Sequence, residues 1–132
     1  MGWLEHRIAR ALKMISHMKE VMKNPWIEIC PGIRRQTLVH GRTMYQMIAQ
    51  LEAGSRMPEH KHAQEQIVHI LSGRMKLSVD GVPHELAAGD SFYLGSNVPH
   101  GVEVVEQTRV LDTFSPPRDE YLAKDEQVRS GN

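Results

Sequence analysis

The sequence predicts an all-β domain, a sandwich or barrel of short strands, that follows a single amphipathic α-helix. Apolar residues recur at helical spacing before Asn24-Pro25 and at a period of two after it. After Pro25, turn signals such as Asp80-Gly81 return about every ten residues, which is typical of antiparallel sandwiches and barrels. A chain of 132 residues can bury one proper core but is too short for two ordinary domains.

The segment before Pro25, residues 1–24, is predicted to form the amphipathic helix. Its apolar side consists of Leu4, Ile8, Leu12, Ile15, Met18 and Met22, and charged residues fill much of the opposite side. Pro25 ends the helix because it biases Asn24 away from helical geometry. A helix of this length is marginal alone, so we expect its apolar side to be buried against its own barrel or a second subunit. A membrane-surface helix is the alternative.

Residues 25–122 are predicted to form the β-barrel, and the polar residues 123–132 are expected to be a loose tail. Asp80-Gly81, which lies between two alternating segments, predicts a tight hairpin. Strands are expected over residues 45–51, 66–71, 75–79, 91–94, 101–105 and 109–114.

Composition restricts the kinds of partner. The 16 Lys and Arg residues equal the 16 Asp and Glu residues, so net charge gives no reason to expect nucleic acid or an acidic membrane. Cys30 is the only cysteine, which excludes a disulfide within one chain and fits a cytoplasmic protein. The sequence contains no apolar run of membrane-spanning length, and we find no signal peptide.

Two histidine motifs indicate a metal site. His60 and His62 are two residues apart, so on an extended strand both imidazoles leave the same face, and Gln66 keeps that parity. His100, in Pro99-His100-Gly101, could complete the set from another strand. Three imidazoles and one amide oxygen would suit one divalent transition metal ion, and Mn, Fe, Ni and Zn all remain open. The alternative is that the histidines are polar residues on a solvated strand face.

Position 66 has chemical consequences for such a site. Gln66 carries no charge, so the full charge of the ion would remain available to polarise a bound oxygen or to hold an anionic substrate. The alternative ligand is Glu65, which has the wrong strand parity unless a bulge intervenes.

A second group of candidate residues follows the metal motifs. Asp112 and Phe114 share one face of a predicted strand, and Pro116-Pro117 stops that strand just before Arg118. Arg118 could grip a carboxylate in a bidentate manner, and Asp112 could move a proton. The trio would suit a small anionic, oxygen-rich molecule. Each residue also has an ordinary explanation, since Asp112 could end a strand, Phe114 could belong to the core and Arg118 could form a surface ion pair.

The two motifs resemble those of the cupins. The first is Gly54-x5-His60-x-His62-x3-Gln66-x6-Gly73, and the second runs from Gly89-Asp90 to Pro99-His100. The resemblance spans residues 33–118 and implies a double-stranded β-helix (jelly-roll) barrel, often a homodimer, with a metal in its mouth. Two positions depart from the usual pattern, because Gln66 stands at the usual glutamate and Gly95 at the usual proline.

Within the cupins, the chain is similar to the KdgF family of pectin and alginate breakdown. The similarity covers His-x-His-x3-Gln, Ser96-Asn97-Val98-x-His100-Gly101 and Leu111-Asp112-x-Phe114-x-Pro116-x-Arg118. It implies an isomerase or lyase-type enzyme that converts unsaturated monouronates to linear keto acids. The implied ligands are His60, His62, Gln66 and His100, and the implied substrate site is Asp112, Phe114 and Arg118. A cupin dioxygenase acting on a small organic substrate and a non-catalytic sugar-binding cupin are the alternatives.

Overall fold

The computed structural model describes residues 2–21 and 23–131, with the side chains of residues 2–16 and 23–131. In chain order, the elements are α1 (Gly2–Val21), β1 (Trp26–Cys30), β2 (Ile33–His40), β3 (Tyr45–Leu51), β4 (Arg56–His60), β5 (Glu65–Ser72), β6 (Arg74–Val79), β7 (Val82–Ala87), β8 (Ser91–Leu94), β9 (His100–Val104), β10 (Thr108–Ser115) and α2 (Asp119–Arg129).

Within the described residues, the strands form two antiparallel sheets. The larger has the order β1-β2-β3-β10-β5-β8 and the smaller the order β4-β9-β6-β7. Apolar side chains from the inner faces of both sheets make one core, which includes Leu51, Ile70, Leu77, Leu94 and Val110. The predicted all-β double-stranded β-helix with an N-terminal helix is therefore confirmed.

Strict alternation of buried and more exposed residues explains why these strands could be predicted from the sequence. In β3, Tyr45, Met47, Ala49 and Leu51 are buried while the residues between them are half-buried. Four further predicted strands begin or end one residue away from the observed bounds, and the 45–51 and 91–94 strands match them. The predicted hairpin is also present: Val79 pairs with Val82, and Asp80 and Gly81 both have positive φ, as a two-residue turn that follows the strand twist requires.

The expected loose tail was wrong, because α2 continues to Arg129. This helix carries few apolar residues, and its buried residue is Asp125, which is 1% exposed. The Asp125 carboxylate accepts a 2.9 Å bond from Arg35 Nη1 and a 2.6 Å bond from the Thr37 hydroxyl. A buried ion pair with β2 therefore holds the helix in place. The spacing of apolar residues does not reveal such a pair, so it did not predict the helix.

The N-terminal helix is present, but residues 2–16 are exposed along their whole length. The large apolar side chains exposed in this part are Trp3, Leu4, Ile8, Leu12, Met14 and Ile15. Burial against its own barrel, one of the two expected arrangements, does not occur there, and packing on a second subunit stays a prediction. The predicted contributions of the Met18 and Met22 side chains lie outside the described residues. Neither α1 nor α2, the helices of the described part, is long and apolar enough to cross a membrane.

Candidate metal centre and active site

Three histidines from the two motifs meet at the mouth of the barrel. His60, the last residue of β4, pairs directly with His100, the first residue of β9. The potential ligand nitrogens of His60, His62 and His100 all lie within 4.8 Å of one another. The ring centroids of His60 and His100 are 4.3 Å apart, and those of His62 and His100 are 4.9 Å apart.

The reason given from the sequence for this convergence was wrong in one respect. Strand β4 ends at His60, so His62 lies in the following loop and does not share a strand face with His60. The loop instead brings His62 back over the cavity, where its ring also contacts Phe114 edge-on at 5.5 Å between centroids.

Backbone carbonyls orient all three imidazoles. The Nδ1–H groups of His60, His62 and His100 donate to the carbonyls of residues 58, 64 and 98, at 2.9, 3.0 and 2.8 Å. In the neutral ring, a protonated Nδ1 leaves Nε2 with a free lone pair, which is the form that a metal needs. Burial lowers the pKa of His100 to about 4, and burial followed by the charge of Arg118 lowers the pKa of His62. These two rings are therefore neutral at ordinary pH.

Gln66 points inward from β5 and is 8% exposed. Its amide nitrogen donates a 2.9 Å bond to Asp112, and its Oε1 lies 3.2 Å from His62 Nε2. With the His62 proton on Nδ1, these two facing atoms are both acceptors, and a cation beside them would satisfy both. The donor set therefore fits a divalent transition metal, with the imidazoles and the amide oxygen as ligands.

Glu65 lies on the outer face of the sheet. It is exposed, and its carboxylate accepts a 2.8 Å bond from the Tyr93 hydroxyl. The neighbouring residue therefore faces solvent while Gln66 faces the cavity. This arrangement favours Gln66 as the ligand, and the ligand assignment stays a prediction.

Asp112 and Phe114 are on the inward face of β10, as their spacing predicts. Phe114 pairs directly with Gln66 across the β10–β5 ladder, and the side chains of Asp112 and Phe114 are buried. Burial raises the pKa of Asp112 to about 6, although the hydrogen bond from Gln66 and the charge of Arg118 lower it. A carboxyl group with a pKa near neutral can both hold and release a proton at ordinary pH.

Arg118 reaches the same cavity from the start of α2. Strand β10 ends at Ser115, before the two prolines, and Arg118 is the N-cap residue of α2. Its Nε donates a 2.6 Å bond to Glu120. Burial alone would raise the pKa of Glu120, but the hydrogen bond and the charge of Arg118, together with a backbone hydrogen bond, lower it overall. The Arg118 guanidinium carbon lies 4.7 Å from the Phe114 ring centroid.

The cavity has a polar mouth and an apolar floor. Its volume is about 60 Å³, which corresponds to about two water molecules at about 30 Å³ each. All six predicted polar residues line it, namely His60, His62, Gln66, His100, Asp112 and Arg118, and the floor includes Leu51, Val68 and Leu77.

Sequence reasoning missed two residues of this site. Tyr121 lines the cavity, and its ring centroid lies 4.1 Å from the Arg118 guanidinium carbon. Glu120 forms the ion pair with Arg118. Residues three apart on a helix are neighbours, so a correct prediction of α2 would have placed Tyr121 beside Arg118.

A barrel of this topology with histidines at its mouth defines the cupins, and comparison with known families agrees. The family model described as "Cupin domain" matches residues 47–114, which include all seven predicted site residues except Arg118. The chain therefore belongs to the cupin family.

Within that family, the chain is similar to KdgF proteins. It is 30% identical to "Pectin degradation protein KdgF" of Dickeya dadantii (strain 3937) over 102 residues, which are 76% of this chain and 93% of the relative. The solved structure of KdgF from Halomonas sp. superposes with a TM-score of 0.70 at 27% identity, over 74% of this chain and 90% of that one. A shorter match, 32% identity over 74 residues, is to "Dimethylsulfoniopropionate lyase DddW" of Ruegeria pomeroyi, covering 52% of this chain and 49% of the relative.

Proposed function

We propose that the chain is a metal-dependent enzyme that opens the ring of unsaturated monouronates and converts them to linear keto acids. The observation that carries the proposal is the convergence of Asp112 and Arg118 on the cavity that also holds the three histidines. The similarity to proteins named for pectin degradation supports the substrate class.

The candidate ligands are His60, His62, His100 and the amide oxygen of Gln66. A divalent ion bound there would supply Lewis-acid stabilisation of negative charge on substrate oxygens. Its identity among Mn, Fe, Ni and Zn is left open, because these ligand types do not select among them.

Asp112 is the proposed proton carrier. Ring opening breaks the bond between the anomeric carbon and the ring oxygen. The hemiacetal hydroxyl loses its proton and the ring oxygen gains one, so the products are an aldehyde and an enol. Ketonisation then adds a proton to the enol carbon and removes one from the enol oxygen. Asp112 is buried with a pKa of about 6, so it can accept and return a proton within the cavity. Such a group typically accelerates a reaction by about 10²–10⁴-fold. This rate acceleration suits a ring that opens slowly without a catalyst.

Arg118 and Phe114 are the proposed binding groups. The Arg118 guanidinium would hold the substrate carboxylate, because its planar donors match that group. Phe114 would pack on the sugar ring and exclude water from the cavity.

The proposal is tested with unsaturated monouronate released by a pectin or alginate lyase. The conjugated enol ether absorbs ultraviolet light, so its conversion is followed as loss of absorbance. The wild-type protein, purified without a metal column and analysed for metal, should accelerate that loss in proportion to its metal content. An unchanged decay with metal-loaded protein would refute the proposed function.

The apolar floor of the cavity favours a second candidate. A dioxygenase acting on a small organic substrate needs a redox metal and an apolar pocket, and Leu51, Val68 and Leu77 provide such a floor. Oxygen consumption by the iron-loaded protein in the presence of small aromatic or aliphatic substrates would favour this activity. Protein that contains no metal as purified and binds none on addition would instead favour a non-catalytic sugar-binding cupin.

A further inference from the structure

A series of ring and guanidinium contacts joins helix α2 to the candidate metal centre. The guanidinium carbon of Arg35 lies 4.1 Å from the Tyr121 ring centroid, and that of Arg118 lies at the same 4.1 Å. Arg118 also contacts Phe114 at 4.7 Å, and Phe114 contacts the His62 ring at 5.5 Å. The series therefore runs from Arg35 through Tyr121, Arg118 and Phe114 to a candidate metal ligand.

The far end of the series is rigidly anchored. Arg35 is 1% exposed and pairs with Asp125 at 2.9 Å, while its Nη2 donates a 3.2 Å bond to the Tyr121 carbonyl. Thr37 bonds both Asp125 and the Tyr45 hydroxyl. The Tyr121 backbone and ring are thus fixed relative to β2, which carries Arg35 and Thr37.

Arg118, which lies closer to the candidate metal site, needs such an anchor. Arg118 lies at the helix start, after a strand that stops at Ser115, so no ladder bond of β10 fixes its position. The backbone carbonyl of Arg118 accepts bonds from the Tyr121 and Leu122 N–H groups, but its guanidinium donates to the carboxylate of Glu120, which is 56% exposed. The guanidinium therefore lies against two aromatic rings, that of Phe114, which is buried, and that of Tyr121, which is half-buried. Cation–π contacts gain strength when they are shielded from water.

We propose that Tyr121 is a positioning residue, whose ring sets the place of the Arg118 guanidinium at the cavity mouth for a substrate carboxylate. The statement about the carboxylate rests on the proposed function. Both guanidinium contacts are to the Tyr121 ring, so a phenylalanine at this position should serve as well as tyrosine, whereas an aliphatic side chain should not.

The position of Arg118 can be measured without any substrate. In protein labelled with nitrogen-15, the Nε–H signal of Arg118 is assigned by its loss in Arg118→Lys. Tyr121→Leu should shift this signal and speed the exchange of its proton with water, because the guanidinium loses a ring face. Tyr121→Phe should leave the signal nearly unchanged. Tyr93→Leu, which removes an exposed tyrosine on the outer face of the barrel, is the matched control.

The consequence for binding is measured with two probes. Galacturonate, a saturated monouronate, reports carboxylate binding without reaction, and the unsaturated uronate reports turnover. For Tyr121→Leu we expect Kd for galacturonate and KM for the unsaturated uronate to rise by about tenfold, with kcat nearly retained. Tyr121→Phe should keep Kd and KM close to the wild-type values. A purely structural role would lower the melting temperature and kcat without this split.

The outcomes separate the two proposals. An Arg118 signal that is unchanged in Tyr121→Leu overturns the positioning role, and so does a moved signal with unchanged galacturonate affinity. Failure of the wild-type protein to bind galacturonate overturns the assignment to a carboxylate. If galacturonate binding weakens in Tyr121→Leu while the wild-type protein leaves unsaturated uronate unconverted, the positioning role is supported and only the proposed reaction fails.

Discussion

The side-chain amide of Gln66 donates a 2.9 Å hydrogen bond to the carboxylate of Asp112. This bond links a candidate metal ligand to the candidate proton carrier. It requires an amide at position 66, because a glutamate there would place two carboxylates in contact and disfavour the charged form of each. Gln66, which replaces the usual glutamate of the cupin motif, is thus complementary to the acid Asp112 on the neighbouring strand.

Asp112→Asn should abolish proton transfer and leave the fold intact. The asparagine oxygen can still accept the bond from Gln66, so the orientation of the amide and the metal content should not change. We expect kcat on unsaturated uronate to fall by at least about 10²-fold. Loss of ultraviolet absorbance measures kcat, and metal analysis measures the metal content. Asp119→Asn, which changes an exposed acid on α2, is the control. Full activity in Asp112→Asn would falsify the acid–base role.

Arg118→Ala should weaken binding more than it slows turnover. A carboxylate clamp acts in the ground state and the transition state alike, so its loss raises KM and leaves kcat comparatively unaffected. Steady-state kinetics against substrate concentration separate the two parameters. Arg129→Ala, an arginine near the other end of α2 that pairs with Glu126, is the matched control. A loss confined to kcat would contradict the role in binding.

Metal removal should destabilise the protein by mass action. An ion that binds the folded state at 100 times its Kd adds about 2.7 kcal/mol to the free energy of unfolding. Dialysis against a chelator should therefore lower the melting temperature, and added Mn, Fe, Ni or Zn should restore it. His100→Ala should lose this response, whereas His84→Ala, outside the three-histidine cluster, should keep it. An identical response in both variants would argue against the assigned ligands.

Asp125→Ala should be strongly destabilising. Arg35 and Asp125 are each 1% exposed, and removing one partner leaves the other charge buried. Such a loss typically costs about 3–5 kcal/mol of unfolding free energy. Chemical denaturation measures the change, with Glu126→Ala as the control, since its 2.7 Å pair with Arg129 is on the surface. Replacing both Arg35 and Asp125 by apolar residues should recover much of the loss, because no charge is left unpaired.

We propose that α1 packs on a second copy of the chain. The exposed residues Leu4, Ile8, Ala11 and Ile15 alternate spacings of four and three, the pattern of a helix that pairs with another helix. Ile8→Lys should convert a dimer to a monomer in light scattering, and Lys13→Ala should not. Deletion of residues 1–24 should give the same monomer. A mass unchanged by both Ile8→Lys and the deletion would show that the helix does not mediate dimerisation.

The sequence was sufficient for strands whose inward residues are apolar. It failed for β2, where the buried positions include Arg35 and Thr37, and for β4, which contains Pro58 and charged residues. Strand β1 spans five residues and shows no clear alternation of burial. The helix α2 was missed because an ion pair holds it, and long-range charge pairing leaves no periodic signal in the chain.

The candidate site was recognisable because its residues fall in short motifs. All seven predicted residues line one cavity, although His62 reaches it from a loop rather than from a strand. Tyr121 and Glu120 were not found, since their relation to Arg118 depends on a helix that the residue pattern did not indicate. Motif spacing was therefore sufficient to predict the candidate metal ligands and substrate-site residues. The residues that position Arg118 became apparent only from the fold.

The imidazole anchors have a consequence for mutational tolerance. The carbonyls that accept the Nδ1 protons belong to the main chain at residues 58, 64 and 98. Exchange of the side chains there leaves the acceptors in place as long as the backbone path is kept. The outer hydrogen bonds of this candidate metal centre therefore tolerate substitution at these three positions, and the rim of the barrel can be redesigned there without disturbing the histidines.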